Sequence, residues 1–252
     1  METIKTHPGF TGLEGRRVLV TGAASGMGRA VAMQLHQAGA RLALFDRNAD
    51  LLKAVAEPIG ARSWVVDLTD AGQLQAAVDE AAAALGGLDG LVNSAGITGS
   101  GRLEDVDHDT WARTIAINLT SVFMMCKAAL PHMAATDAGA IVNIASVAAL
   151  GPVTSSTAYA ASKGGVVAFS KTLAAEVAPR IRVNVVCPGA VDTPMMDDSY
   201  FVSRKELIGN RYALKRIGTA DELANAIVFL LSSSSSFMTG TTLVVDGGAM
   251  YH

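Results

Sequence analysis

A chain of 252 residues with 50% hydrophobic and 17% charged residues has the composition of a buried, multilayer fold and excludes intrinsic disorder. A formal net charge of -3, with basic residues scattered and the densest group (204–216) carrying Glu206 among them, excludes a phosphate-tracking nucleic-acid surface. Two distant cysteines, Cys126 and Cys187, and five histidines without ligand spacing leave no disulfide framework, zinc site or catalytic metal to expect.

Residues 1–15 contain Glu2, Lys5 and Pro8 but no apolar signal core, so a cytoplasmic location is expected. Two long uncharged stretches, 138–162 and 223–245, are cut by Gly151-Pro152 and by the serine run 232–236. They read as strand, loop and helix pieces of a core, with no membrane partner.

The apolar run 17–21 has strand character and breaks at Gly22-Ala-Ala-Ser25-Gly26-Met27-Gly28, after which 29–38 resumes helical periodicity. Glycines let a backbone approach a ligand closely, and the open N–H groups of the following helix attract a phosphate. The spacing is Gly-x3-Gly-x-Gly with no Lys-Ser/Thr after it, unlike either the commoner dinucleotide fingerprint or the nucleoside-triphosphatase loop. A second strand, 41–46, ends in Asp46, placed to bond ribose hydroxyls and repel a 2′-phosphate. NAD is therefore expected over NADP, although Arg47 pulls the other way.

The alternation continues with strand 64–67, an alanine-rich helix at 71–85 capped by Thr69 or Asp70, and a strand from Leu88 that turns at Asn93-Ser94-Ala95-Gly96. Helix then runs through 110–134 until Pro131, strand 140–146 ends in Ser146, and a helix spans 156–177. Strand 181–187 ends at Pro188-Gly189, and helix 221–231 precedes a seventh strand, 241–246. With no repeat or linker, 1–252 reads as a single-domain, Rossmann-like, doubly wound α/β sheet of about seven parallel strands with helices on both faces. Residues 190–217 break the pattern; Pro194, Met195, Met196, Tyr200 and Phe201 among mixed charges read as a substrate lid, with an oligomer contact as the alternative.

Ligands collect at the carboxyl ends of parallel strands, where Thr21, Asp46, Asp67, Asn93 and Ser146 all fall. Tyr159 and Lys163 are four apart on one helical face. A cation beside a phenol lowers its pKa from ~10 by roughly one to three units, which makes Tyr159 a general acid/base candidate. The pair alone weighs little: 4 Tyr and 7 Lys in 252 residues yield roughly 0.1 such pairs by chance, so the strand ends carry the case. Gly164-Gly165 in the same helix costs roughly 1 kcal/mol per glycine relative to Ala, which points to close packing or function.

Taken together, Thr21-Gly22-x3-Gly26-x-Gly28, Asn93-Ser94-Ala95-Gly96, Asn118, Ser146, Tyr159-x3-Lys163 and Pro188-Gly189 resemble the short-chain dehydrogenase/reductase family over nearly the whole chain. Ser146 stands the family's usual thirteen residues before Tyr159, and Ser94 departs from a usual Asn. The resemblance implies Tyr159 as acid/base, Ser146 as the hydroxyl orienting and stabilising the substrate oxygen, and Lys163 lowering the phenol's pKa and holding the nicotinamide ribose. It implies Asn118 as a link from Lys163 to solvent through a water. Gly22, Ser25, Gly26, Met27, Gly28, Asp46, Arg47, Asp67, Leu68, Asn93, Ala95 and Gly96 are implied to meet the cofactor, with Asp67-Leu68 at the adenine. Pro188, Gly189, Val191 and Thr193 are implied at the carboxamide end.

The implied reaction interconverts a secondary alcohol and a ketone with NAD. Apolar Ile97, Val147, Ala148, Val153, Ala190, Met195 and Met196 near the implied site favour a hydrophobic substrate. A homotetramer is expected from the family and from the apolar helical stretch 122–133. Two alternatives stay open: a 3-oxoacyl-thioester reductase using NADPH, opposed by Asp46 and by the lack of a basic residue among Ala23, Ala24 and Ser25, and a non-catalytic NAD-binding regulator.

Overall fold

The computed structural model describes residues 10–99, 101–136, 138–196 and 202–250. Seven strands form one parallel sheet: β1 (Arg17–Thr21), β2 (Arg41–Asp46), β3 (Arg62–Val65), β4 (Gly90–Asn93), β5 (Gly139–Ile144), β6 (Ile181–Pro188) and, last in the chain, β9 (Thr242–Val245). Their order across the sheet is β3-β2-β1-β4-β5-β6-β9. The direction reverses between β1 and β4, which opens a crevice at the carboxyl edge.

Both faces of the sheet are covered, so successive side chains of one strand enter different cores. Leu19 packs with Phe45, Leu91 and Ile141 on one face, while Val18 and Val20 pack with Leu44, Val92 and Val142 on the other. The first core is closed by α3 (Ala71–Leu85), α5 (Ser121–Ala129) and α6 (Thr157–Val177), the second by α1 (Gly26–Gln37), α2 (Ala49–Ala56) and α8 (Ala220–Leu231). Asp70 rather than Thr69 caps α3, accepting from Gln73 N at 3.0 Å, a contact worth ~1 kcal/mol.

Several boundaries differ from expectation. The edge strand β3 stops at Val65, because the Asp67 carboxylate turns back to accept from Thr69 N and Oγ1 at 2.9 and 2.7 Å. Strand β5 stops at Ile144, and Ser146 caps a 3-10 turn, Val147–Ala149, with its Oγ accepting from Ala148 N. As expected, the α-helix ends just before Pro131, at Ala129, and a 3-10 turn, Leu130–Met133, follows. Between α4 (His108–Ile115) and α5, a wider π turn at Ala116–Thr120 holds the fully buried Asn118. This stretch, His108–Met133, is long and apolar enough to cross a membrane by length and composition, yet it buries Val122, Met125, Cys126, Ala129 and Met133 in the first core.

The described residues of segment 190–217 form regular elements as well as loop. It contains β7 (Val191–Asp192), paired with β8 (Gly218–Thr219), and a short helix α7 (Lys205–Arg211). Tyr200 and Phe201 lie outside the described residues. In α6 only one of the two adjacent glycines is tightly packed: a Cβ on Gly165 would stand 2.6 Å from Leu119 Cδ2, whereas one on Gly164 would meet nothing within 4 Å.

Candidate active site

Strand β1 delivers the chain into the glycine turn, and Thr21 ties that turn to β4: its Oγ1 accepts from Ser94 N (3.1 Å) and Ala95 N (3.3 Å). Gly22 has φ +68°, and a Cβ there would lie 2.9 Å from Ala95 Cα. A Cβ on Gly28 would lie 2.2 Å from the Gly22 carbonyl oxygen, so the turn closes only with glycine at both positions. Ser25 precedes α1 without making a side-chain cap, which leaves the N–H groups of the first helical turn open toward an anion.

A groove of about 490 Å³ runs along this edge, lined by Gly22, Ser25, Gly26, Met27, Gly28, Asp46, Arg47, Asp67, Leu68, Ala95, Gly96 and Thr193. Asp46 keeps its carboxylate at the turn, accepting from Ala24 N (3.1 Å) and Asn48 N (3.0 Å). The Asp67 carboxyl is held below its ordinary range by the Thr69 hydrogen bonds, with a smaller contribution from Arg47. Glycines at the points of closest approach, open helix N–H groups and an acid at the second strand end fit a dinucleotide's pyrophosphate and ribose. Sequence reasoning missed Thr69, Arg113 and Ile117 in the same groove. Arg113 and Ile117 lie five residues and one residue before Asn118 on the same helical stretch, so its neighbourhood was the one signal for them. A larger groove of about 1100 Å³ follows the outer side of α1, past Glu14, Met33 and Asn225, and holds no acid/base residue of the expected set.

Two residues expected at the cofactor turn their side chains into the core. Asn93 turns its side chain into the core, where Nδ2 donates to Asn143 Oδ1 (2.8 Å) and Asn143 Nδ2 donates to Ser170 Oγ on α6 (2.9 Å). Val191 is buried in the second core. Pro188 ends β6, and the following Gly189 approaches Asp246, where a Cβ would stand 3.1 Å from its Cα.

The acid/base residues converge beside the groove. Lys163 is buried, and its Nζ donates to the Ile144 carbonyl at the tip of β5 (2.8 Å) while lying 5.8 Å from the centroid of the Tyr159 ring. A Cβ on Gly96 would sit 3.2 Å from Asn118 Oδ1 and 3.4 Å from Lys163 Nζ, so both polar groups border that one glycine. Asn118 has its side chain fully engaged: Oδ1 accepts from Ile97 N (2.8 Å), and Nδ2 donates to Ile97 O (2.9 Å) and Ser162 Oγ (3.1 Å). Its side chain ties the stretch after β4 to α6.

The electrostatics correct one expectation. Burial pushes the Tyr159 phenol above its ordinary value, a hydrogen-bonding contribution from Ser146 opposes the rise, and Cys187 adds to it. The Lys163 amine is itself drawn down by burial to about 8. Spacing gave proximity, and around the buried Lys163 and partly buried Tyr159 desolvation is the largest cause of both shifts. In the protein without cofactor the phenol is therefore a proton donor at neutral pH.

Comparison with known proteins follows the same lines. Residues 22–250 match the family model described as enoyl-(acyl carrier protein) reductase. D-threitol dehydrogenase of Mycolicibacterium smegmatis is 41% identical over 242 residues, covering 94% of this chain and 93% of the relative. The inactive 2-(S)-hydroxypropyl-CoM dehydrogenase 2 of Xanthobacter autotrophicus is 41% identical over 227 residues, 84% of this chain and 96% of that one. The crystal structure of a glucose/ribitol short-chain dehydrogenase/reductase from Brucella melitensis superposes with a TM-score of 0.91 at 37% identity, covering 95% of this chain and 98% of that one. With the glycine turn, the seven-stranded sheet and the Tyr159–Lys163 helix arranged as described, the chain belongs to the short-chain dehydrogenase/reductase family, oxidoreductases that act on CH–OH groups with a nicotinamide cofactor.

Proposed function

We propose that the protein interconverts a secondary alcohol and a ketone with NAD, using Tyr159 as general acid/base. The observation that carries this reading is that Lys163 and Ser146 flank the last residues of β5 beside a groove ending in Asp46. Gly22, Gly26 and Gly28 hold the pyrophosphate, Asp46 the adenosine ribose, Asp67 and Leu68 the adenine, and Pro188 to Thr193 the carboxamide end. When bound, NAD supplies the carbon that accepts or returns the hydride. In reduction, the Tyr159 Oη–H gives its proton to the substrate oxygen as negative charge develops there, while the Ser146 Oγ–H donates to that oxygen and fixes its position. In oxidation the phenolate takes the hydroxyl proton, and the raised phenol pKa makes this direction faster as pH rises.

Asp46 favours NAD because a 2′-phosphate would meet its carboxylate across the open end of the turn. The substrate we propose is apolar and neutral, since Ile97 and Met195 border the groove and Val153 is exposed on the loop between Ser146 and Tyr159. A cytoplasmic homotetramer without nucleic-acid or membrane partners completes the reading. Trp111 and Phe123 are exposed on α4 and α5, and Phe123 meets Phe169 of α6 edge-on at 6.3 Å, an aromatic face suited to a second copy.

The decisive experiment screens purified protein against secondary alcohols and ketones with NAD and NADP separately, following reduced-nicotinamide absorbance. Turnover with NAD that disappears in Tyr159→Phe supports the proposal; no turnover with any substrate, or full activity in that variant, overturns it.

A further inference from the structure

Met250 lies on the loop that leads from Ser146 toward α6. The loop leaves β5, turns at Val147–Ala149 and reaches Gly151, whose N–H donates to the Val147 carbonyl (3.1 Å). A Cβ on Gly151 would stand 2.7 Å from Met250 Cε and 2.9 Å from its Sδ. The missing side chain at Gly151 is what admits the thioether.

The turn that carries Met250 is held on three sides. Asp246 folds it, with Oδ1 accepting from Gly248 N (2.9 Å) and Oδ2 from Met250 N (2.8 Å). The carbonyls of Gly247 and Gly248 accept from Leu214 N (3.0 Å) and Ala213 N (3.3 Å), at the close of segment 190–217. Beside them, Ala190 N donates to Tyr212 Oη (2.8 Å), and Gly189 N to the Val245 carbonyl (3.2 Å). The turn thus touches the tip of β6, residues 212–214 and, through Met250, the loop between Ser146 and Tyr159, the two residues that meet the alcohol oxygen in the reading above.

We propose that Met250 is a specificity-determining residue, its thioether walling the substrate space beyond Ser146 and limiting the length of the apolar substituent on the alcohol carbon. This rests on the alcohol–ketone reading. The Asp246 carboxylate is consumed by folding the turn, so the wall offers an apolar, adaptable surface rather than a charged one. The Met250 contact at Gly151 is made by the far end of a flexible side chain, so adding a methyl at Gly151 displaces the thioether rather than the loop.

The test measures kcat/KM with NAD for a series of unbranched 2-alkanols of increasing length, in wild type, Met250→Ala, Gly151→Ala and the double variant, with the NAD dissociation constant from fluorescence titration. Removing the thioether is expected to raise the long-to-short ratio of kcat/KM by about 10-fold or more, the scale of a few methylenes in an apolar pocket. Gly151→Ala should move the ratio, and in the double variant it should add nothing to Met250→Ala, because no thioether remains to be displaced. The NAD dissociation constant should stay near wild type throughout. An active wild type whose ratio is unmoved by Met250→Ala, or a Gly151→Ala effect that persists undiminished in the double variant, overturns the proposal while sparing the activity. A wild type inactive on every alcohol overturns both. Met250→Val, smaller and still apolar, serves if the alanine variant does not fold, and should raise the ratio part of the way without abolishing turnover; an unaltered ratio counts against the wall.

Discussion

Burying Lys163 has a cost that can be read directly from stability. The residue is 5% exposed, and burial lowers its pKa from 10.5 to about 8. Between those values the unfolded chain binds a proton that the native chain has released, so the free energy of unfolding rises with pH across that window. The slope is at most ~1.4 kcal/mol per pH unit, and the whole window amounts to roughly 3 kcal/mol. Replacing Lys163 by Met removes this titration and also the hydrogen bond to the Ile144 carbonyl, a loss of ~1 kcal/mol that does not vary with pH. Urea unfolding of cofactor-free wild type and Lys163→Met, from about pH 7 to about pH 10, therefore separates the two effects. The wild type should gain roughly 2 to 3 kcal/mol relative to the variant as pH rises. Tyr159 and Cys187 are present in both proteins, so only the part of the Cys187 titration that depends on the Lys163 charge enters the difference. A difference that stays flat, or that shrinks with rising pH, refutes the claim that desolvation dominates at this lysine.

Tyr159→Phe should lower turnover by at least roughly 10²- to 10⁴-fold while leaving the NAD dissociation constant near wild type, and the wild-type oxidation rate should climb with pH because the phenol's pKa is raised; a flat rate profile counts against the acid/base role. Asp46→Ser should narrow the ratio of NAD to NADP efficiency, and a wild type that already prefers NADP would show that Arg47 governs the site. The Glu222 carboxyl is held at about 2 by Arg216 and by the Thr219 cap at the start of α8. Its contribution is complete above the unfolded value of 4.5 and fades as pH falls toward 2. With its side chain 41% exposed, solvent screening holds that contribution to ~1 kcal/mol, so Glu222→Ala should lower stability at neutral pH but not in strong acid.

Much of this molecule could be read before its structure was known. Strands β1 and β2 and helix α3 have the limits that apolar runs, Gly22 and Asp70 set locally. Reading failed where long-range contacts decide. Strand β3 ends early because an edge strand has one neighbour and the Asp67 side chain competes for the backbone beyond it. Helix α7 was hidden by Gly209 and by mixed charges in seven residues. At the site, strand ends named the groove residues, but Arg113 and Ile117 required knowing that the helix from His108 returns over the same edge. The Tyr159 shift was misjudged because helical spacing reports separation and says nothing of the medium between two groups. The Asn93–Asn143–Ser170 chain was invisible for a related reason: its members are neighbours only across β4, β5 and α6.

The last strand has a bearing on how the molecule assembles in time. Strand β9 pairs with β6, and Asn184 on β6 accepts from Thr241 N across 57 residues while donating to the Met238 carbonyl. Arg182 likewise spends its guanidinium on Leu230, Ser232, Ser235 and Met238, all distant in sequence. On the ribosome, β1 to β5 can dock as they emerge, but β6 keeps one edge bare until almost the entire chain has been made. Because the Gly189–Asp246 contact closes at that same edge, the turn after β6 is completed only in this late step, and a nascent chain stalled before β9 leaves the hydrogen-bonding edge of β6 open to pairing with its neighbours.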